Sequence, residues 1–388
     1  MRSDNYFNYL TTNTLSECDC LADELQRINL NNMRILFVTN GLQSGGSERV
    51  VSMLANRLAE RKHDVSVICV RGKESFYPIH PGVHLFFLDK EQHCDSLLKK
   101  MLWIRSYVRR MRIEVVIAFI VRVYGFTIAA LLGCGVPVIT SERNDPRSFN
   151  LLSRWIMRFF LPLSSWHVVQ TENIKRYYPS FIQRKTTVIP NPVSPKVLAQ
   201  PAIQKRDLLI CVGRLVPQKN QRLLIDSFAA IVDKHPSYQL VIYGEGPLRD
   251  CLQQHIRQLG MEGCILLPGR TKDIIRRLAE ARIFCLSSTH EGMSNAMIEA
   301  VCVGLPVVTT RVSGVDELIT DGENGMVVQE DISAYSAALD RLMNDNTLQE
   351  QMGRNGRQRA ELFDLTNIIK LWETIMMKTR KTDRHCRY

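Results

Sequence analysis

Residues 207–228 read DLLICVGRLVPQKNQRLLIDSF, and their pattern sets the fold class. The apolar run that opens the stretch is continuous. It is the pattern of a strand buried on both faces of a parallel sheet, since a strand with one wet face alternates instead. A loop carrying Gly213, Arg214 and Lys219 follows, and a helical pattern begins at Asn220. Strand, loop and helix in that order make half of a βαβ unit.

The same order recurs along the chain. The first half offers RILFVTN (34–40), DVSVICV (64–70), VHLFFLD (83–89), EVVIAFI (114–120), PVITSE (137–142), HVVQT (167–171) and TTVIP (186–190). The second half offers DLLICVG, YQLVIYG (238–244), CILLPG (264–269), IFCLSS (283–288), PVVTT (306–310) and GMVV (325–328). Helical patterns lie between them, among them SERVVSMLANRLAERK (47–62) and NQRLLIDSFAAIVDKH (220–235). The expectation is α/β, with two Rossmann-like doubly wound domains.

The stretch IPNPVSPKVLAQPAIQKR (189–206), with prolines at 190, 192, 195 and 201, is the expected linker. The expected domains are therefore 33–197 and 198–365. Residues 366–388 form an amphipathic helix, expected to pack back toward the first domain, and a basic tail. Residues 1–32 are polar and patternless, and are expected to be a flexible extension upstream of Met33.

Bulk composition narrows the function. A chain of 388 residues with 45% hydrophobic and 23% charged residues is composed as a globular protein. No apolar run reaches the roughly 18–20 residues that span a bilayer, and the N-terminus lacks a secretory layout, so a cytoplasmic location is expected. The eleven cysteines are scattered, and Cys18 with Cys20 has the wrong spacing for a metal or redox motif. A net charge of +11 calls for an anionic neighbour. Basic residues interleaved with stacking aromatics are absent, which argues against nucleic acid.

Three loops carry candidate chemistry. After the first strand, Gly45 and Gly46 precede a helix N-terminus, which favours an anion, although such a turn is more often a plain connector. Gly41, Gly45 and Gly46 do not give the G-x-G-x-x-G of a dinucleotide-binding oxidoreductase. In the second half, Arg214 and Lys219 are two cations on one loop at a strand's carboxyl edge, able to reach a diphosphate or merely solvated. YGEGPLRD, with Gly244 and Gly246, repeats the design at the next strand. Finally THEGMSNAMIEA (289–300) sets Glu291 before a helix and Glu299 within it. Ser294 stands at the cap, and the backbone of Gly292, Met293, Ser294 and Asn295 leads into the first turn. Seven residues lie between the two carboxylates, one before the helix and one a turn or two into it, which places them too far apart to share a proton.

Taken in order, GRLVPQKN, GEGP, HEGMSNAMIEA and GLPVV resemble the nucleotide-sugar domain of retaining GT-B glycosyltransferases of family 4, and the resemblance spans nearly all of 33–375. It implies two domains facing across a cleft and a nucleotide-sugar donor, expected to be UDP-linked. It also implies that Glu291 holds sugar hydroxyls, Glu299 the ribose diol, and Arg214 with Lys219 the diphosphate. Gly45-Gly46 would cover that diphosphate, and Arg270 would lie beside the base. No Asp-x-Asp occurs in the chain, so no metal is expected. Family members often carry His where this chain has Arg143, and Arg is a poor general base. A nucleotide-sugar epimerase of the same fold is the alternative.

Two stretches suggest how the acceptor is met. In LLKKMLWIRSYVRRMR (97–112), Leu97, Met101, Ile104, Val108 and Met111 are expected to form one stripe. Lys99, Arg105, Arg109, Arg110 and Arg112 surround it, with Trp103 and Tyr107 available to a membrane surface. RWIMRFFLPL (154–163) sets Arg154 and Arg158 among large apolar residues. Packing on the protein's own sheet is the alternative for both. The resemblance to polysaccharide transferases implies a polyprenyl-diphosphate-linked glycan acceptor, and an enzyme peripheral on the anionic inner face of the plasma membrane.

Overall fold

A computed structural model describes residues 32–43, 45–91, 95–200 and 203–385, the last five as backbone only. The expected extension, apart from residue 32, and the end of the basic tail lie outside the described residues. The chain divides into two compact units. One comprises the residues up to Pro192 together with those from Leu365 on, and the other is Val193–Asp364.

The first unit runs β1 (Arg34–Thr39), α1 (Gly46–Glu60), β2 (Asp64–Cys69), β3 (Val83–Phe87), α2 (Leu97–Arg110), β4 (Val115–Phe119), α3 (Val121–Leu131), β5 (Val138–Ser141), α4 (Leu151–Phe160), β6 (Trp166–Val169) and β7 (Thr186–Val188). All seven strands are parallel, in the order β3-β2-β1-β4-β5-β6-β7. Side chains alternate across the sheet, so Ile35 and Phe37 enter one apolar layer while Leu36 and Val38 enter the other. Both faces are dry, which explains the continuous runs in the sequence.

The helix α2 corrects the expected stripe. Its buried residues are Lys100, Ile104, Tyr107 and Val108, whereas Leu97 is exposed along with Leu98 and Leu102. Lys100 goes inward because its ammonium meets the Val70 carbonyl at 2.8 Å and pairs with Asp89, which leaves its methylenes to pack. Tyr107 donates or accepts at Ser66 (2.8 Å) and lies among Phe86 and Trp103. It is therefore a core residue and does not face a membrane.

The second unit runs β8 (Leu208–Val212), α5 (Gln221–Ala229), β9 (Gln239–Tyr243), α6 (Arg249–Gln258), β10 (Ile265–Gly269), α7 (Ile274–Glu280), β11 (Ile283–Leu286), α8 (Asn295–Val303), β12 (Val307–Thr310), β13 (Gly325–Val328), α9 (Ile332–Asn344) and α10 (Asn346–Arg357). Its six parallel strands are ordered β10-β9-β8-β11-β12-β13. The helical pattern expected over 220–235 stops at Ala229. A separate 3-10 turn, Val232–Lys234, follows it.

A last helix, α11 (Leu365–His385), belongs to the first unit. Ile368, Ile369, Trp372, Ile375 and Met376 are buried in the same layer as Ile35 and Phe37. Arg61 grips Glu373 of α11 through two nitrogens, at 2.7 and 3.1 Å. The chain thus returns to complete a core that it began at β1.

Candidate functional site

In an open parallel sheet, ligands bind beyond the carboxyl ends of the strands where the strand order reverses. In the second unit that point lies between β8 and β11. The loop leaving β8 carries Arg214 and Lys219, and the loop leaving β11 carries Glu291. The topology therefore brings together residues 72 positions apart in sequence.

Lys219 Nζ donates directly to Glu291 Oε1, which also accepts from Ser288 Oγ at 2.9 Å. The two side chains retain only 14% and 11% of their accessibility, so the pair is largely withdrawn from water. Backbone bonds fix the two loops to each other. Thr289 N–H donates to the Gln218 carbonyl (2.9 Å), Gln218 Nε2 to the His290 carbonyl (2.7 Å) and Ser287 Oγ to the Lys219 carbonyl (3.0 Å). Asn220, in the left-handed region with φ 43°, turns the chain from Lys219 into α5. An ammonium has three donors. Lys219 can hold Glu291 and still offer hydrogen bonds to an anion.

Glu299 stands on α8 and is 3% exposed, which excludes a solvated charge on a helix surface. Ser294 caps α8 by accepting from Met297 N–H, and Gly304 ends the helix in the left-handed region, φ 85°. Gly292, Met293 and Ser294 are buried, and Asn295 is half-buried. The N-terminus of α8 consequently opens at the same carboxyl edge as Lys219, with the partial positive charge of its first turn directed there. Arg214 is exposed on the β8 loop.

The GEGP turn is packed against the Arg214 loop. Leu215 N–H donates to the Glu245 carbonyl at 3.0 Å and Leu248 N–H to the Leu215 carbonyl at 3.1 Å. A side chain at Gly244 (φ 152°) would lie 1.8 Å from the Gly213 carbonyl oxygen, and one at Gly246 would lie 2.3 Å from that of Leu215. Only glycine permits two backbones this close. Arg270 is exposed just past β10, the edge strand of the sheet and two strands from β8.

In the first unit the strand order reverses between β1 and β4. Gly45 caps α1, its carbonyl accepting from the Tyr77 hydroxyl at 2.9 Å, and Gly46 opens the helix. At the end of β4 stands Ile120, with φ 61° and ψ 147°. For a β-branched residue this is genuine backbone strain, of the kind that gathers at functional loops. Its N–H is held by the Ser141 carbonyl at 2.8 Å.

Beyond β5, Glu142 and Arg143 are both buried. Glu142 Oε1 accepts from the backbone N–H of Arg143 (2.9 Å) and of Asn144 (3.1 Å). Burial nevertheless pushes its carboxyl up to about 7, and burial lowers Arg143 to about 9. Arg143 bonds Asn191 Oδ1 at 2.8 Å and lies over the rings of Phe119 and Trp372, at 5.2 and 5.8 Å. It is thus a buried cation held by aromatic faces. The sign of the pH effect follows from the raised Glu142 value. The folded carboxyl stays protonated where the unfolded one has ionised, so its stabilisation is full below about 4.5 and is lost as pH rises through about 7. Glu142→Gln should flatten the fall in unfolding free energy over that window, by up to about 1.4 kcal/mol per pH unit. Urea denaturation between pH 4.5 and 8 measures this, and an unchanged slope would contradict it.

The remaining sequence candidates are dispersed. Lys99 pairs with Asp95 on the surface of α2. Arg105 is committed to the C-terminal end of α3, donating to the carbonyls of Ala130 (3.1 Å) and Leu132 (2.7 Å). Arg109 is exposed on α2. Arg154 and Arg158 are exposed on α4, where Arg154 donates to the Phe149 carbonyl at 2.9 Å. Sequence reasoning missed Ser288, Asn220, Ile120 and Glu142. Ser287-Ser288, polar at the end of an apolar strand, was the available signal for the first. Among the described residues, no cluster of His, Cys, Asp and Glu is placed to hold a metal ion.

Residues 195–359 match the family model described as glycosyl transferases group 1, and residues 44–197 match that of Glycosyltransferase Family 4. Campylobacter jejuni provides two relatives with established names. The GalNAc-alpha-(1->4)-GalNAc-alpha-(1->3)-diNAcBac-PP-undecaprenol alpha-1,4-N-acetyl-D-galactosaminyltransferase is 28% identical over 90% of this chain and 99% of its own. The N-acetylgalactosamine-N,N'-diacetylbacillosaminyl-diphospho-undecaprenol 4-alpha-N-acetylgalactosaminyltransferase is 27% identical over 85% and 95%. Among solved structures, Anabaena Alr3699/HepE in complex with UDP superposes with a TM-score of 0.72, at 19% identity over 89% of this chain and 100% of that one. Sucrose-phosphate synthase from Thermosynechococcus elongatus superposes with 0.71, at 16% identity over 91% and 99%.

Proposed function

Because this chain belongs to glycosyltransferase family 4, we propose that it moves a hexose or N-acetylhexosamine from a UDP-sugar to a polyprenyl-diphosphate-linked glycan in surface polysaccharide assembly. The observation that carries the reading is the Lys219–Glu291 pair at the β8/β11 reversal, beside the N-terminus of α8. Lys219, Arg214 and the first turn of α8 hold the donor diphosphate. Glu291 takes sugar hydroxyls, and Glu299 takes the ribose diol.

Glycosyl transfer breaks the bond from the anomeric carbon to the diphosphate oxygen, and the electron pair leaves with the diphosphate. The acceptor hydroxyl oxygen forms the new bond on the same face, and its proton passes to a departing phosphate oxygen. Negative charge grows on the diphosphate as the bond breaks. Fixed cations and helix N–H groups are most effective there because they need no reorganisation. The transfer retains configuration, and these cations take the part that a metal plays in other transferases.

The acceptor's lipid end is met by the first unit. Leu151, Leu152, Trp155 and Phe159 are exposed on α4, Trp155 and Phe159 by 57% and 60%, and Arg154 and Arg158 interleave with them. Leu97, Leu98 and Leu102 are exposed on α2, and both helices pack on α3. No helix among the described residues is long and apolar enough to cross a membrane. Apolar side chains among arginines suit an anionic bilayer surface, and the enzyme works peripherally on the inner face of the plasma membrane.

A panel of UDP- and GDP-sugars, tested on polyprenyl-diphosphate glycans with and without EDTA, examines each element. Absence of nucleotide release with every donor would sink the assignment. An inverted anomeric signal in the product would overturn retention, and loss of activity in EDTA would overturn metal independence. Trp155→Asp/Phe159→Asp should weaken partitioning onto anionic vesicles by tenfold or more, since each ring contributes about 1.5–3 kcal/mol when buried. Unchanged sedimentation would remove α4 from the membrane.

A further inference from the structure

The second unit carries a basic cavity at the other edge of its sheet. Lys205 precedes β8, Arg282 precedes β11 and Pro306 precedes β12, so three amino ends of parallel strands meet there. These strands are four or five residues long, which puts the cavity roughly 15 Å from the carboxyl edge with Lys219 and Glu291. The cavity holds about 250 Å³, and α10 lines it with two more cations, Arg354 and Arg357, and one carboxylate, Glu350. Its floor is backbone. Gly304 and Gly353 approach so closely that a side chain at Gly353 would sit 2.3 Å from the Gly304 carbonyl oxygen.

Positive charge here exceeds its local compensation. Arg282 is bound to Asp207 at 2.6 Å, and Arg354 lies 3.5 Å from Glu350. Lys205 and Arg357 have no ion pair among the described residues. The C-terminus of α8 contributes partial negative charge beside them. Even so, burial and the proximity of Arg282 and Arg357 bring the Lys205 ammonium down to about 8. An anion entering the cavity would relieve the repulsion and offset the cost of desolvation.

We propose that this cavity binds a phosphate-bearing ligand, at a site separate from the one that takes the donor. Guanidinium forks match phosphate oxygens, and a lysine adds a compact charge. The volume falls below the about 300–1,000 Å³ of pockets that take drug-sized ligands. A phosphate or diphosphate group fits that space. The group arrives either as a free phosphate compound or as a lipid headgroup.

Titration calorimetry with inorganic pyrophosphate, comparing wild type with Lys205→Gln/Arg357→Gln, tests the site. Any binding near Lys219 is common to both proteins, so the difference isolates the cavity. The wild type should bind one more pyrophosphate than the variant, or bind it at least about tenfold more tightly, the equivalent of 1.4 kcal/mol. In phosphate-free buffer the variant's Tm should equal or exceed that of the wild type, because two repelling charges are gone. A merely structural pair would lower it. In a second arm, the two proteins are sedimented with phosphatidylglycerol and with phosphatidylcholine vesicles. A wild-type advantage confined to phosphatidylglycerol assigns the ligand to the membrane, and equal sedimentation together with a pyrophosphate difference assigns it to a free compound. If neither pyrophosphate nor vesicle binding depends on the pair, the site does not exist.

Discussion

Lys219→Met should lower kcat/KM for glycosyl transfer by about 10²–10³-fold, the range seen when one fixed charge-stabilising donor is removed from an active site. The same substitution should also lower stability. It leaves Glu291, with 11% of its side chain accessible, without its cation and dependent on Ser288 alone. An unpaired and largely buried charge of this kind costs about 1–3 kcal/mol. Glu291→Gln separates the two effects, because the amide oxygen still accepts from Lys219 and Ser288. Its stability loss should be the smaller, and its turnover should fall by a similar factor if the carboxylate grips the sugar. The double variant Lys219→Met/Glu291→Gln should regain part of the stability and none of the activity. Steady-state kinetics and urea denaturation on all four proteins complete the cycle. Activity returning in the double variant would reduce the pair to a structural clasp.

Trp372→Ala should destabilise the first unit by about 3–5 kcal/mol, the cost of emptying a buried aromatic site. Trp372 is 1% exposed and stacks near Phe119, with centroids 6.1 Å apart and planes inclined by 25°. Its ring also lies below Arg143, so the substitution removes one of the two aromatic faces that hold this buried cation. For a unit of this size the loss corresponds to about 6–20 °C in Tm. Calorimetry reads it directly, and Trp372→Phe should recover more than half. A drop of under about 1 kcal/mol would mean that α11 is an ornament on the first unit and not part of its core.

Most of the thirteen strands were legible because they are dry on both faces, so their residues announce them without reference to neighbours, and the edge strands β3 and β10, which expose His84 and Leu266, still read as apolar runs. The glycine turns and the Ser294 cap were legible for a similar reason, being local. What escaped depends on partners distant in sequence. Leu97 looked apolar enough to be buried, yet the inward place went to Lys100, whose charge is answered by Asp89 and Val70 on other elements. Glu299 was singled out, but its burial depends on the elements packed around α8 and not on its own stretch. Glu291 and Lys219 were each singled out, but their direct pairing depends on the β8/β11 adjacency, which no single stretch encodes. Ile120 carries strain that its own residue type opposes, and only the surrounding sheet could impose it.

The return of α11 also governs how the protein is made. Unit 2, Val193–Asp364, is contiguous, so every residue it needs has emerged once Asp364 clears the ribosome. Unit 1 begins earlier and finishes later. Its seven strands are complete at Val188, and Val50, Leu54 and Leu58 of α1 already pack in the layer with Ile35, Phe37 and Val65, but that layer lacks Ile368 and Trp372 until α11 follows. At roughly 5–20 residues per second, synthesis of the intervening unit lasts roughly ten seconds or longer. Throughout that interval the part of the layer that α11 fills stays open, leaving apolar surface of the kind that promotes association. The domain translated first is therefore the one that closes last.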